Sequence, residues 1–147
     1  MIQCVNQTMT LNMKQKLLVL GTVAWNSIPA SNLEFDEVSS STADMTIGAA
    51  SLDSGTWGIN QVVMHGGTMV DSDIKFNYNV HWGDRAGADW WKFWVKDYLS
   101  TAAHEAGHAI RLAHDPNSEL MSGGHSIGDI YRTPTAHDIS TVEQKYP

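Results

Sequence analysis

Apolar positions along this chain change period several times, and each change marks an element. From about Leu11 to Ser27 apolar side chains dominate one run that Pro29 stops, which suits a helix; Gly21 inside it costs a little propensity. Glu34, Phe35, Glu37 and Val38 suit a short strand, and Ser39 to Thr42 a turn. Period two then takes over. Met45 and Ile47 alternate with Asp44 and Thr46 as in a half-buried strand. Ile59 to Met64, bounded by Gly58 and by Gly66-Gly67, makes a second strand. Met69 to Asn77 makes a third, with Ile74 and Phe76 facing one way and Asp73 and Lys75 the other.

Trp82 to Asp89, with Gly83 and Gly87, reads as a loop. Helical spacing returns in Trp91, Trp94, Val95, Tyr98, Ala102 and Ala106, so a long helix is expected from Asp89, a fair N-cap, to about Arg111. On that reading the Trp cluster packs in the core; the competing reading is a stacking or sugar-binding surface. After Pro116 the chain is glycine-rich through Gly123, Gly124 and Gly128. A last helix is expected from Thr135 to Tyr146, after Pro134, with Ile139 and Val142 inward.

Composition narrows the partners. A length of 147 residues suits one domain, taken as 1–147, with a real core. Net charge is −7, and the nine Lys and Arg are scattered, so nucleic acid and anionic membrane surfaces are disfavoured. Cys4 is the sole cysteine, which rules out an intrachain disulfide and a Cys-based zinc site. No apolar run is long enough to span a bilayer. Lys14 and Lys16 before Leu17 to Trp25, with Ala30 beyond, have the outline of a signal peptide; Ile28 is a poor residue at its place before such a cut, which favours a buried helix.

The chemistry sits in His104-Glu105-Ala106-Gly107-His108. Residues four apart share a helix face, so both imidazoles reach one metal ion. Glu105 lies beside the metal rather than on it, where a carboxylate can take a proton from metal-bound water. His114 follows His108 by six positions, completing an extended three-histidine pattern. Three nitrogens and an open fourth position are the arrangement of catalytic zinc; structural sites use four protein ligands. Met121, within Ser118-Glu119-Leu120-Met121-Ser122, lies seven positions further on; by itself it is as readily a core methionine.

With these residues the chain resembles the matrixin branch of the metzincins, the fold of matrix metalloproteinase catalytic domains. The likeness extends over nearly the whole sequence. Trp25 with Leu33-Glu34-Phe35, Ala43 to Gly48, Asp73 to Asn77 with Trp82, and Asp138-Ile139 with Tyr146 resemble successive elements of that fold. The resemblance implies an α+β domain: a twisted, mostly parallel sheet with an antiparallel edge strand packed on the active-site helix, plus N-terminal and C-terminal helices. It implies a zinc-dependent endopeptidase with one catalytic ion, Met121 as the Met-turn residue, and a peptide bound as an added strand. Ile59, Asn60, Gln61 and Val62 would form the cleft edge, and His125 the wall of a specificity pocket. It favours a secreted protein, with a cytoplasmic one the alternative for want of a clear signal peptide; the chain is taken as a monomer by default.

Departures from the pattern leave alternatives open. Arg111 stands where the family has the glycine that lets the helix end sharply; if the backbone there is left-handed, arginine costs about 1 kcal/mol or more. A zinc-binding recognition module with weak or no catalysis is therefore the competing function. Taking Glu143 as third ligand is a further alternative, opposed by the spacing of His114. The family's structural-metal segment is missing and the loop Leu52 to Trp57 is short, so no second zinc is assigned and calcium is unsupported. Asp53, Asp71, Asp73, Asp84 and Asp89 read as loop carboxylates, and His65, His81 and His137 as ordinary surface or hydrogen-bonded residues. No tyrosine follows Met121 by two, unlike the astacin-like branch. Cys4 lies ahead of the domain on this reading, where family zymogens carry a zinc-capping thiolate, but without that signature it reads as a free thiol.

Overall fold

The structure is a computed structural model that describes residues 2–6, 21–38, 43–87 and 89–147. Its elements in chain order are strand β1 (Ile2–Asn6), helix α1 (residues 21–26), strands β2 (Phe35–Glu37), β3 (Met45–Ala50), β4 (Gly58–His65), β5 (Thr68–Asn77), β6 (Trp82–Gly83) and β7 (Lys96–Asp97), and helices α2 (Tyr98–Ala109) and α3 (Ala136–Lys145). Five strands form one mixed sheet in the order β2-β1-β3-β5-β4. β1 pairs in parallel with β2 and β3, and β3 in parallel with β5. β4 runs antiparallel to β5 and leaves the sheet at one edge.

Alternation in the strands builds the core. Met45 and Ile47 on β3, and Ile74 and Phe76 on β5, all point to the buried face. Against them pack Ala102, Ala103, Ala106 and Ala109 of α2, whose small side chains bring the helix close to the sheet. Trp25, fully buried, locks α1 on α2 by donating from its indole Nε1 to Ala103 O at 2.8 Å. The β4–β5 hairpin turns at Gly66 and Gly67, both with positive φ (58° and 84°), as a tight primed turn requires. Asn77 anchors the segment leading into β4: its Nδ2 donates to Thr56 O at 2.8 Å and its Oδ1 accepts from Leu52 N at 3.3 Å.

Four sequence expectations change. The active-site helix starts at Tyr98, not near Asp89. Lys96 and Asp97 are extended and paired with β6, so no helix runs back through them, and the buried Asp97 is the N-cap. Asp89 instead ties its own loop, accepting from Asp84 N at 3.0 Å. Of the supposed core stripe, Val95, Ala102 and Ala106 are buried, but Trp91 and Trp94 are exposed. Cys4 does not precede the domain: its strand β1 lies inside the sheet, between β2 and β3. Trp82 and Gly83, expected in a loop, form β6. The turn expected at Ser39 to Thr42 lies outside the described residues, as does the first part of the Leu11 to Ser27 helix and the Lys14–Leu17 segment; residues 21–26 of that run are helical. Among the described residues no helix is long and apolar enough to cross a membrane.

Candidate metal centre

α2 carries the first two candidate ligands. Its N-terminus is fixed by Asp97, whose Oδ2 accepts from Ser100 N at 2.9 Å and Ser100 Oγ at 2.7 Å, and from Arg132 Nε at 2.9 Å. Burial pushes the Asp97 carboxyl up, but the Arg132 and Ser100 hydrogen bonds outweigh it and leave the group below the ordinary range. One turn apart on α2, His104 and His108 point the same way, with Nε2 atoms 3.1 Å apart. His114 brings its Nε2 to 3.2 Å from that of His108. Among the described residues these three form the cluster able to hold a metal ion. Glu143, the alternative third ligand, is not part of it.

The ring hydrogens show what these contacts are. His104 Nδ1 faces Leu120 O at 2.6 Å, and His108 Nδ1 faces Leu112 O at 2.8 Å. A carbonyl only accepts, so both Nδ1 atoms carry the proton and both Nε2 atoms present lone pairs. Lone pairs facing each other at 3.1 Å repel unless a cation lies between them. Tetrahedral zinc at its usual bond length sets ligand nitrogens about 3.3 Å apart, close to the spacing found. Burial pulls the His104 pKa down to about 4, with the Leu120 hydrogen bond acting the other way and the neighbouring histidines adding to the drop. His108 is lowered too, chiefly by burial. Both rings are therefore neutral at neutral pH, the state a metal needs.

His114 reaches the cluster because the chain reverses at Arg111. Arg111 has φ 64°, the one left-handed non-glycine among the described residues. Arg111 N donates to His108 O at 2.8 Å and Leu112 N to Gly107 O at 3.0 Å, the paired bonds of a Schellman cap. Three further bonds hold the turn. Arg111 Nη1 donates to Gly67 O at 3.1 Å, Lys145 Nζ to Arg111 O at 2.7 Å, and Tyr146 Oη to Ile110 O at 2.8 Å. The sharp helix end forms without glycine.

Glu105 is buried, and its Oε2 has no hydrogen-bond partner. That burial raises its pKa to about 8 in the protein alone. A divalent cation beside it would favour the ionised form again. Met121 lies under the helix, fully buried, where a side chain on Gly107 would come within 2.4 Å of its sulfur. Ser118 joins this turn to α3: its Oγ donates to Asp138 Oδ2 at 2.7 Å and accepts from Met121 N at 2.8 Å.

A cleft of about 460 Å³ opens over the cluster, between α2, the start of β4 and the loop after Met121. Of the cleft residues expected from the sequence, Ile59, Asn60 and His125 line it with His104, Glu105, His108 and His114. Gln61 and Val62 do not. Gln61 turns to the other face and accepts from Lys75 Nζ at 2.8 Å, while Val62 lies further along the strand, opposite Ser72. Asn60 holds β4 to the helix by donating to Glu105 O at 2.9 Å. His125 stacks edge-on to His104, centroids 5.1 Å apart, and its Nε2 reaches Leu120 O at 3.2 Å, the carbonyl that orients His104. Gly58 and Trp57 were missed from the sequence. A Cβ on Gly58 would sit 2.9 Å from Glu105 Oε1, so a side chain here would press on the Glu105 carboxylate. Trp57 lines the cleft, with Lys96 Nζ 3.9 Å over its ring. Glycine before a strand is a visible signal of close approach, but its neighbour is not.

A mixed sheet with an antiparallel edge strand, a histidine-bearing helix beneath it and a third histidine beyond a tight turn defines a metallopeptidase-type site. The family profile of the matrixins matches residues 3–147, and the chain belongs to that family. The match supports a metallopeptidase, with peptides as its substrate class. No curated protein matches the chain.

Proposed function

We propose that this matrixin is a zinc-dependent endopeptidase, with zinc held by His104, His108 and His114. One observation carries the reading: three imidazoles, two of them with Nε2 lone pairs set by carbonyl contacts, converge beside a buried carboxylate oxygen without a partner, under an open cleft. Zinc, when bound, supplies Lewis acidity to a peptide carbonyl and to water. Every other part is the chain's own. The free edge of β4 aligns a peptide as an added antiparallel strand through main-chain hydrogen bonds. Glu105 takes the proton of the attacking water and passes it to the leaving amine nitrogen. The Leu120 and Leu112 carbonyls keep the His104 and His108 rings in the ligating tautomer. Met121 supports the helix from below. The family habit points to a protein that acts outside the cell.

The experiment is cleavage of a quenched peptide library, with metal content assayed on the same sample. One equivalent of zinc and chelator-sensitive cleavage is the expected result. Glu105→Gln should keep the zinc and lose turnover by at least about 100-fold; a variant that kept turnover would remove Glu105 from the mechanism. Full zinc occupancy without cleavage would favour a recognition module of the same fold.

A further inference from the structure

Residues 90–94 read Trp-Trp-Lys-Phe-Trp, and the structure does not bury them. Trp90 is 71% exposed, Trp91 56%, Phe93 72% and Trp94 46%, so the rings project from the loop rather than line a groove. The Trp25 and Trp82 indoles donate to backbone carbonyls, whereas those of Trp90, Trp91 and Trp94 have no acceptor among the described residues. Trp91 and Phe93 each stand edge-on to Trp94 at 85°, so these rings offer no shared flat platform for stacking a sugar.

The loop is charge-neutral and firmly based. Lys92, its one cation, pairs with Asp89 and lies 5.2 Å over the Trp91 ring. Lys92 N donates to Asp89 O at 2.9 Å and Val95 N to Lys92 O at 3.1 Å, so part of the turn's backbone is already satisfied. Arg85 Nη1 donates to Lys92 O at 2.6 Å, and Val95 is buried at the loop's root.

We propose that this loop docks the protein on a zwitterionic, phosphatidylcholine-type membrane surface. Indole rings with free N–H donors suit the headgroup boundary, where one side of the ring is dry and the other wet. A projecting wedge suits a soft bilayer better than a rigid partner, which would need a matching pocket. The charge argues for a neutral surface: a chain of net charge −7 is repelled by an anionic one, and the loop has no spare cation to offset that.

The test is co-sedimentation of the full chain with phosphatidylcholine vesicles, read also by tryptophan fluorescence. Binding with a blue shift is expected, weakened when phosphatidylserine is added at low salt. A Trp90→Ser/Phe93→Ser double variant should bind about tenfold or more weakly, with unchanged melting temperature and zinc content. The proposal is overturned if the chain stays in the supernatant, or if the double variant binds as the parent does. Concentration-dependent dimerisation without vesicle binding, lost in the double variant, would overturn it in favour of a second copy of the chain. Retention on insoluble polysaccharide without vesicle binding would overturn it in favour of a sugar.

Discussion

Arg111 has the left-handed backbone expected of a glycine and keeps it because others hold the turn. The Schellman bonds, Lys145 on its carbonyl and Tyr146 on the preceding one leave little for the side chain to do beyond its bond to Gly67 O. Arg111→Gly should therefore stabilise the fold by up to about 1 kcal/mol, by relieving the backbone, and leave zinc affinity unchanged. Arg111→Val should destabilise it by about 1–2 kcal/mol, since a branched Cβ is worst at positive φ. Melting curves and chelator competition check both. A fall in zinc affinity in the glycine variant would mean that the Gly67 contact, and not the turn, sets the place of His114. At this scale His104 and His108 are legible in the sequence because a spacing of four puts them on one helix face, whereas Glu105 and His114 are legible only from their places in the extended three-histidine pattern. Gly58 and Gly107 are not legible, because the crowding at them comes from Glu105, Met121 and Trp25, which only the fold brings against them.

Among the elements, the strands β3 and β5 are legible from period two, which one buried face imposes, and β4 from the glycines that bound it. β1 is not: Ile2-Gln3-Cys4-Val5-Asn6 is short, and its place in the middle of the sheet depends on partners far along the chain. The start of α2 is misread because Trp91, Trp94 and Val95 imitate a helix stripe, while Asp97 decides the matter through Arg132, 35 residues away. That pair makes the helix start sensitive to acid. The folded pKa of Asp97 lies below its unfolded value, so its contribution is complete above the unfolded pKa of about 4 and is lost as pH falls through the folded one. Asp97→Asn should cost about 2 kcal/mol at neutral pH, by leaving the Arg132 charge less well paired. It should also flatten the loss of stability below about pH 4. Denaturant melts of both proteins from pH 7 to 3 check this; parallel curves would take Asp97 out of the acid response.

Across the whole molecule the three histidines draw together segments from different parts of the chain. His104 and His108 belong to α2, His114 to the segment after the turn, and the carbonyl orienting His104 to the segment ending in Met121. That segment is tied through Ser118 to Asp138 of α3, itself locked by a capping box with Thr135. Without a cation, the Nε2 lone pairs of His104 and His108 face each other at the centre of this assembly. Metal binding should thus stabilise the fold as a whole and not the site alone. At free zinc about 100 times the dissociation constant the gain is about 2.7 kcal/mol, or roughly 5–10 °C in melting temperature for a chain of this size. Glu105→Gln should keep the shift, because the glutamate is no ligand. His114→Ala should lose most of it, because two imidazoles bind far more weakly than three. Scanning calorimetry with zinc and with chelator measures all three proteins. Equal melting temperatures with and without zinc in the parent would show that the histidines do not bind the ion in the folded state, and would remove the basis for the peptidase reading.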